Sequence, residues 1–474
     1  MEQPVGVHDP IAECLPDGPA GRLPDRSTAR RLRVGVAGAA LLAVLGGPWS
    51  VAGPEASAAP RLPVRTIGAD LPAPSNALVT VAGAGFGHGV GMSQYGAYGM
   101  ARAGAGVAAI LTHYFTGTSV VSYPDAGDLR VNVVDRGARV TLRSVALAAG
   151  GGAFELVSAD GATTDLTASD VATVTPSDGA LQIAVTHGDG TVVRLTTATL
   201  GVRWSGGRGM AGPATVLQVG SRTPEGAGKT RRYRWGSLAL VSVRRLDPDG
   251  VTRPRVEANA LVDLHAEYLR GVAEMPYGWA DAALQAQAVA ARTYALTHRT
   301  RTLSGCGGCT LWDDTRSQVY QGWDAESGPS GGRWVQAVAA TQTSRTASLA
   351  VLYRGTPIEA SYSSSTGGRT RDAASVWGSD VPYLRSVDDP WSVDRTINPR
   401  YSAWTRTVAV SRLCTVFGLA DLASIAVTAR DAAGAATEVE ATSSDGEIST
   451  RSGATLRSAL GLPSQWVTSF AVPR

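Results

Sequence analysis

Lysine is almost absent from this 474-residue chain: Lys229 stands alone among 43 basic residues, the rest being arginine. Histidine (6), cysteine (4) and aromatic side chains (6%) are scarce, and only 18% of residues are charged. With 43 basic against 40 acidic residues, the charge is too evenly balanced for the basic stripe of a nucleic-acid-binding surface, so no nucleic-acid partner is expected. The apolar run 34–47 has 14 residues, short of the roughly twenty that a membrane-spanning helix needs. Glycine, by contrast, is abundant at 56 residues and points to many turns and short strands.

That apolar run has another reading. Arg30, Arg31 and Arg33 precede it, and Ala56-Ser57-Ala58 supplies small residues at a cleavage point. A basic region, a short apolar core and a small-residue cut make residues 1–58 a signal peptide, or a membrane anchor if uncleaved. The Arg pair is compatible with twin-arginine export as well as the general route. The expected location is the cell wall or the medium. Residues 59–75 are proline-rich without periodicity and read as a linker.

Cys14 falls in the signal region, leaving Cys306, Cys309 and Cys414. In an exported protein "CGGC" (306–309) reads as a tight disulfide or as a partner for Cys414. Zinc held by Cys306, Cys309 and His298 is the other option, but no fourth ligand is evident.

Along the chain, "ALVTVAG" (77–83) alternates like a strand and leads into "GAGFGHGVGMSQYGAYGMA" (83–101). Residues 101–115 read as a short helix, closing a glycine-histidine segment over 76–120. Residues 121–245 alternate apolar and polar side chains between Gly/Asp turns, a β-rich domain. Residues 246–474 contain helical periodicity from about 259. A first helix is expected after Asp263, running to about Val272. Pro276 interrupts it, and Asp281 is expected to cap a second helix with Leu284, Ala288, Ala291 and Ala295 on one face. The expected fold class is α+β, strand-rich around a short helical core.

Two places can carry chemistry. The glycine run lacks the Gly-Lys-Ser/Thr of a phosphate loop and the distant acid of a dinucleotide loop, so no nucleotide cofactor is expected. It offers backbone N–H groups beside His88, Ser93, Gln94 and Tyr95, which suit a sugar. Glu274 lies in the break between the two helices, flanked by Met275, Pro276, Tyr277 and Trp279. Apolar surroundings disfavour a carboxylate and raise its pKa, so the group can hold and donate a proton as glycosidic-bond cleavage requires. Spacing alone equally allows a helix-capping Glu.

"EYLRGVAEMPYGWADAALQAQAVAARTYAL" (267–296) resembles the signature of the SpoIID/LytB family, the stage II sporulation protein D and amidase enhancer group. "GFGHGVGMSQYGAYGMA" (85–101), "SQVYQG" (317–322), "ASYSSSTGGRT" (360–370) and "VWGSDVPYLRSVDDPW" (376–391) resemble further family blocks. The resemblance implies a lytic transglycosylase of peptidoglycan whose catalytic glutamate is Glu274. His88, Ser93, Gln94, Tyr95, Gln287, Arg292, Ser365, Thr366 and Gly367 are expected to line its cleft. Arg292 either meets the lactyl carboxylate of peptide-free glycan or braces its helix. The alternative is a non-catalytic glycan-binding enhancer of a cell-wall amidase; a two-carboxylate hydrolase using Glu267 with Glu274 is a third reading.

Two departures stand out. The glycine-histidine block usually ends the family's sequence and here begins it, while "LRVNVV" (129–134) resembles the usual start and follows it. A circular permutation is expected, with the strand at 77–82 beside that at 466–472. Arg316 and Ser317 stand where some relatives have a zinc-binding His-Cys pair, so no metal is expected.

Overall fold

The computed structural model describes residues 77–471; the expected signal peptide and linker lie outside the described residues. The alternating segments form two antiparallel-rich sheets. One runs Val192–Thr197, Ala180–Thr186, Val171–Ser177, Arg139–Ala146, Thr215–Arg222, Gly228–Tyr233. The other runs Leu311–Trp312, Asp128–Gly137, Thr252–Asp263, Ser237–Leu246, Thr199–Trp204, Phe154–Ser158, Thr163–Leu166. Leu142, Ile183 and Leu217 of the first sheet share an apolar core with Leu200, Trp204 and Leu240 of the second. The architecture is α+β and strand-rich.

Two expectations near the helical segment need correction. Residues 259–263 belong to the long strand Thr252–Asp263 in the second sheet, so the sheet crosses the expected boundary at 246. The first helix shrinks to a single 3-10 turn, Tyr268–Gly271. Its N-cap is Glu267, without a side-chain cap bond, and not Asp263, which closes the preceding turn, its Oδ1 accepting from the Ala266 N–H at 2.8 Å, while Glu267 Oε2 accepts from the Asp263 N–H at 2.8 Å. The turn stops because the chain then pairs with a distant segment: Val272 bridges Tyr320, and the Ala273 N–H donates to the Val319 carbonyl at 2.9 Å. Tertiary pairing overrides local periodicity here.

The second helix spans Asp281–His298, with Ala280 rather than Asp281 as N-cap. Leu284, Ala288, Ala291 and Ala295 face the sheet core as expected, while Ala286, Val289 and Ala290 pack into a second apolar cluster with Ile110 and Leu111. Apolar neighbours on both sides explain its alanines, which let elements approach closely all round. The single helix expected at 101–115 is broken into Gln94–Arg102 and Val107–Tyr114 by the glycines between.

A small sheet joins the two ends of the described chain. Leu78–Ala84 pairs antiparallel with Trp466–Ala471 on one side and Trp404–Ala409 on the other. The strand pairing expected from the block order is therefore present. Val79, Val81, Trp404, Val467 and Phe470 are buried in one cluster around it.

Cys306 and Cys309 are joined in a disulfide, and Cys414 is a free buried thiol. Beneath that loop Glu257 is fully buried. Its Oε1 accepts from the Arg136 N–H and its Oε2 from Asn132 Nδ2, each at 3.1 Å, and Arg245 lies 3.7 Å away. Burial, reinforced by Asp135, pushes its pKa up to about 7. A raised carboxyl pKa favours folding while the proton is held, and that contribution is lost as pH rises from the unfolded value near 4.5 through about 7. The difference is at most about 3 kcal/mol. Glu257→Gln should accordingly gain on the wild type in unfolding midpoint between pH 5 and pH 8; an unchanged difference across that range would contradict the assignment.

Candidate functional site

Glu274 follows the short pairing of 271–273 with 319–321, which fixes its backbone. Its Oε1 accepts two hydrogen bonds, from the Val319 N–H at 2.7 Å and the Tyr362 hydroxyl at 3.1 Å. The residue keeps part of its surface accessible, while protein atoms crowd the carboxyl. Burial raises its pKa, and the two hydrogen bonds pull the other way. The result is an acid held above the ordinary glutamate range yet provided with donors for its ionised form.

Tyr362 is the centre of this arrangement. Its hydroxyl also accepts from Gln318 Nε2 at 2.9 Å, and Gln318 Oε1 accepts from Tyr268 at 2.8 Å. Burial and the nearby Glu274 push the Tyr362 pKa well above its usual value, keeping it a hydroxyl donor. His88 contacts the same residue from behind: Nε2 lies 3.0 Å from the Tyr362 carbonyl, while Nδ1 accepts from the Val90 N–H at 3.0 Å. That second bond requires a neutral ring with its proton on Nε2. Burial, with Arg457 adding to it, lowers the His88 pKa to about 4. His88 thus positions Tyr362 in the neutral state, and one residue separates it from Glu274.

Gln94 reaches the site from the other side. Its Nε2 donates to the Glu274 carbonyl at 2.9 Å and to Gln287 Oε1 at 3.2 Å. Tyr95, the next residue, is partly exposed and packs against Trp279 with ring centroids 4.8 Å apart.

Several expected cleft residues lie elsewhere. Arg292 is fully buried, with Nε 3.0 Å from Asp125 Oδ2 and Nη1 donating to the Leu349 carbonyl at 3.0 Å. It braces the fold and is out of reach of a substrate carboxylate. Ser93 caps the helix Gln94–Arg102 and contacts Ser392 Oγ at 2.8 Å. Thr366 donates to buried Asp389 at 2.8 Å, which also accepts from Tyr114. Ser365 is fully buried and bridges Phe86 through its backbone, and Gln287 is fully buried beneath Gln94. These four make their contacts within the protein.

The glycine run is corrected too. Its amides are occupied within the protein: Gly85 N–H donates to the Tyr401 carbonyl at 2.7 Å and Gly87 N–H to the Pro463 carbonyl at 3.0 Å. What glycine permits is close packing. A Cβ on Gly89, where φ is +77°, would stand 2.1 Å from the Trp466 ring, and one on Gly367 2.2 Å from it. The block is cut to fit an indole almost four hundred residues away.

Residues 256–346 match the family model for the stage II sporulation protein, SpoIID. The chain thus carries a SpoIID domain and is similar to proteins of the SpoIID/LytB group. It is 35% identical over 159 residues to stage II sporulation protein D of Bacillus amyloliquefaciens, covering 30% of this chain and 42% of that protein. It is 38% identical over 149 residues to the amidase enhancer of Bacillus subtilis (strain 168), covering 31% of this chain and 18% of that protein. The matched part is thus less than half of either relative. No solved structure matches. The SpoIID match contains Glu274, Gln318 and Val319, whereas His88, Gln94 and Tyr362 come from outside it.

Within the SpoIID match, Arg316 engages Asp314 and Asp135, and Ser317 Oγ accepts from the Trp312 N–H at 3.1 Å. His298 contacts Glu359 at 2.8 Å, and the sulfurs of Cys306 and Cys309 are bonded to each other. Among the described residues no group of three or more His, Cys, Asp or Glu is arranged to hold a metal ion. Nor is any described helix long and apolar enough to cross a membrane. Tyr362 and Gln318 escaped the sequence reading although both lie in blocks quoted for the resemblance. Their signal was a tyrosine and a glutamine beside glycine-rich turns, with nothing local to say that they meet.

Proposed function

We propose that the protein is an exported peptidoglycan lytic transglycosylase in which Glu274 is both acid and base. The observation that carries this is the carboxyl of Glu274, a partly accessible residue, crowded by protein and with two donors on Oε1. Oε2 then carries the exchangeable proton. It passes to the oxygen linking N-acetylmuramic acid to N-acetylglucosamine as the C1–O bond breaks. The muramic C6 oxygen attacks C1, and its proton returns to Glu274. Water is not consumed, the muramic end becomes a 1,6-anhydro ring, and the other fragment leaves with a free hydroxyl.

Glu267 does not support a two-carboxylate hydrolase, because its Oε2 caps the 260s turn and lies 3.4 Å from Arg208. The order of the sequence blocks, with Leu78–Ala84 beside Trp466–Ala471, supports a circular permutation of the domain. Incubating purified protein with peptide-free glycan strands tests the reading. Shortened strands support it; unchanged strands together with stimulation of a cell-wall amidase would assign the enhancer role of the Bacillus subtilis relative instead.

Tyr362→Phe tests the positioning of the carboxyl. A hydrogen bond to a charged group contributes about 1.5–3 kcal/mol, so turnover should fall roughly tenfold to a hundredfold. Losing a donor to the carboxylate raises the Glu274 pKa further, moving the alkaline limb of the pH–rate profile to higher pH. An unmoved limb would contradict the role given to Tyr362.

A further inference from the structure

We propose that an aromatic strip beside Glu274 binds glycan beyond the sugars that flank the cleaved bond. This rests on the reading of Glu274 as a glycan-cleaving residue. In a chain where aromatics are only 6% of residues, five partly exposed rings from separate segments converge here. Phe86 meets Tyr401 at 4.5 Å, Tyr401 meets Tyr95 at 6.3 Å, Tyr95 meets Trp279 at 4.8 Å and Trp279 stacks on Tyr98 at 4.6 Å.

Three of the rings stand on backbone that is itself hydrogen-bonded. Trp279 closes a turn whose N–H donates to the Pro276 carbonyl at 3.1 Å, and its own carbonyl accepts from Arg333 at 2.9 Å. The Tyr95 N–H donates to the Ser364 carbonyl at 3.0 Å, and the Tyr401 N–H to Asn398 Oδ1 at 2.8 Å. The strip adjoins the Glu274 backbone: Gln94, next to Tyr95, donates to the Glu274 main-chain carbonyl at 2.9 Å, and Trp279 lies five residues beyond Glu274. Partly exposed aromatic side chains with few rotatable bonds offer apolar surface at little entropic cost, which suits the C–H faces of successive sugars. Substrate is accordingly a strand of several sugars.

The test is calorimetric binding of peptide-free N-acetylglucosamine–N-acetylmuramic acid oligomers of graded length, with Glu274→Gln present throughout to prevent cleavage. Affinity should rise with length. Adding Trp279→Ala or Tyr401→Ala should weaken the longest oligomer about tenfold and flatten the length dependence. Trp279→Phe should recover most of the loss, which a merely structural defect would not predict. Unfolding midpoints confirm that each variant is folded. If the alanine variants keep the full length dependence, the strip is not a glycan site, while the reading of Glu274 survives. Binding of no oligomer at all by the Glu274→Gln protein would overturn both.

Discussion

Glu274→Gln should abolish glycan cleavage while leaving binding intact. The amide keeps the size of the side chain and can still accept from the Val319 N–H and the Tyr362 hydroxyl. It has no proton to give to a leaving oxygen and no negative charge with which to take one back. In the proposed mechanism one group fills both roles, so the loss should reach or exceed the upper end of the 10²–10⁴-fold range of a single acid–base residue. In the wild type, burial raises the Glu274 pKa, so the acid form persists above the pH at which an exposed glutamate would ionise. Activity should fall on the alkaline side as that proton is lost. Wild-type turnover by Glu274→Gln would remove Glu274 from the mechanism.

Deleting residues 456–474 should unfold the protein or leave it inactive. Trp466, Val467 and Phe470 are all at or below 5% exposed, and the strand they occupy pairs with Leu78–Ala84. Losing a buried aromatic side chain costs about 3–5 kcal/mol, and removing the strand exposes several at once against a total stability of about 5–15 kcal/mol. Trp466→Ala is the milder form. It empties the space against Gly85, Gly89 and Gly367 and loses the hydrogen bond from Nε1 to the Ala433 carbonyl at 2.9 Å. Its unfolding midpoint should drop steeply, with the glycine block loosened and turnover reduced. A truncated protein with wild-type midpoint and cleavage would show the terminal strand to be dispensable.

What the sequence made legible was mostly local. Alternation located the strands Arg139–Ala146 and Ser237–Leu246, and an acid set among Met275, Pro276 and Tyr277 singled out Glu274. The misses came from contacts distant in sequence. Nothing near Arg292 announces that Asp125 will lie against it, and a buried ion pair looks in sequence like a binding arginine. The glycine run read as amides offered to a ligand because its true neighbour, Trp466, is 377 to 381 residues away from Gly85 and Gly89. The helix expected at 264–272 has the right periodicity, but its residues are claimed by the pairing of Val272 with Tyr320. Ser93, Ser365 and Thr366 were expected to line the cleft, yet all three are buried, and Ser93 and Thr366 turn to polar partners inside the protein. Side-chain direction depends on tertiary packing.

The chemistry at Glu274 is tested most directly by the mass of the products from peptide-free glycan strands. Cleavage without water leaves each new muramic end as a 1,6-anhydro sugar, lighter by one water than a reducing end and resistant to borohydride reduction. Glu274 acting alone as acid and then base predicts anhydro ends throughout, and none with Glu274→Gln. Reducing muramic ends in the wild-type digest would mean that water is the nucleophile, and would contradict the single-residue mechanism.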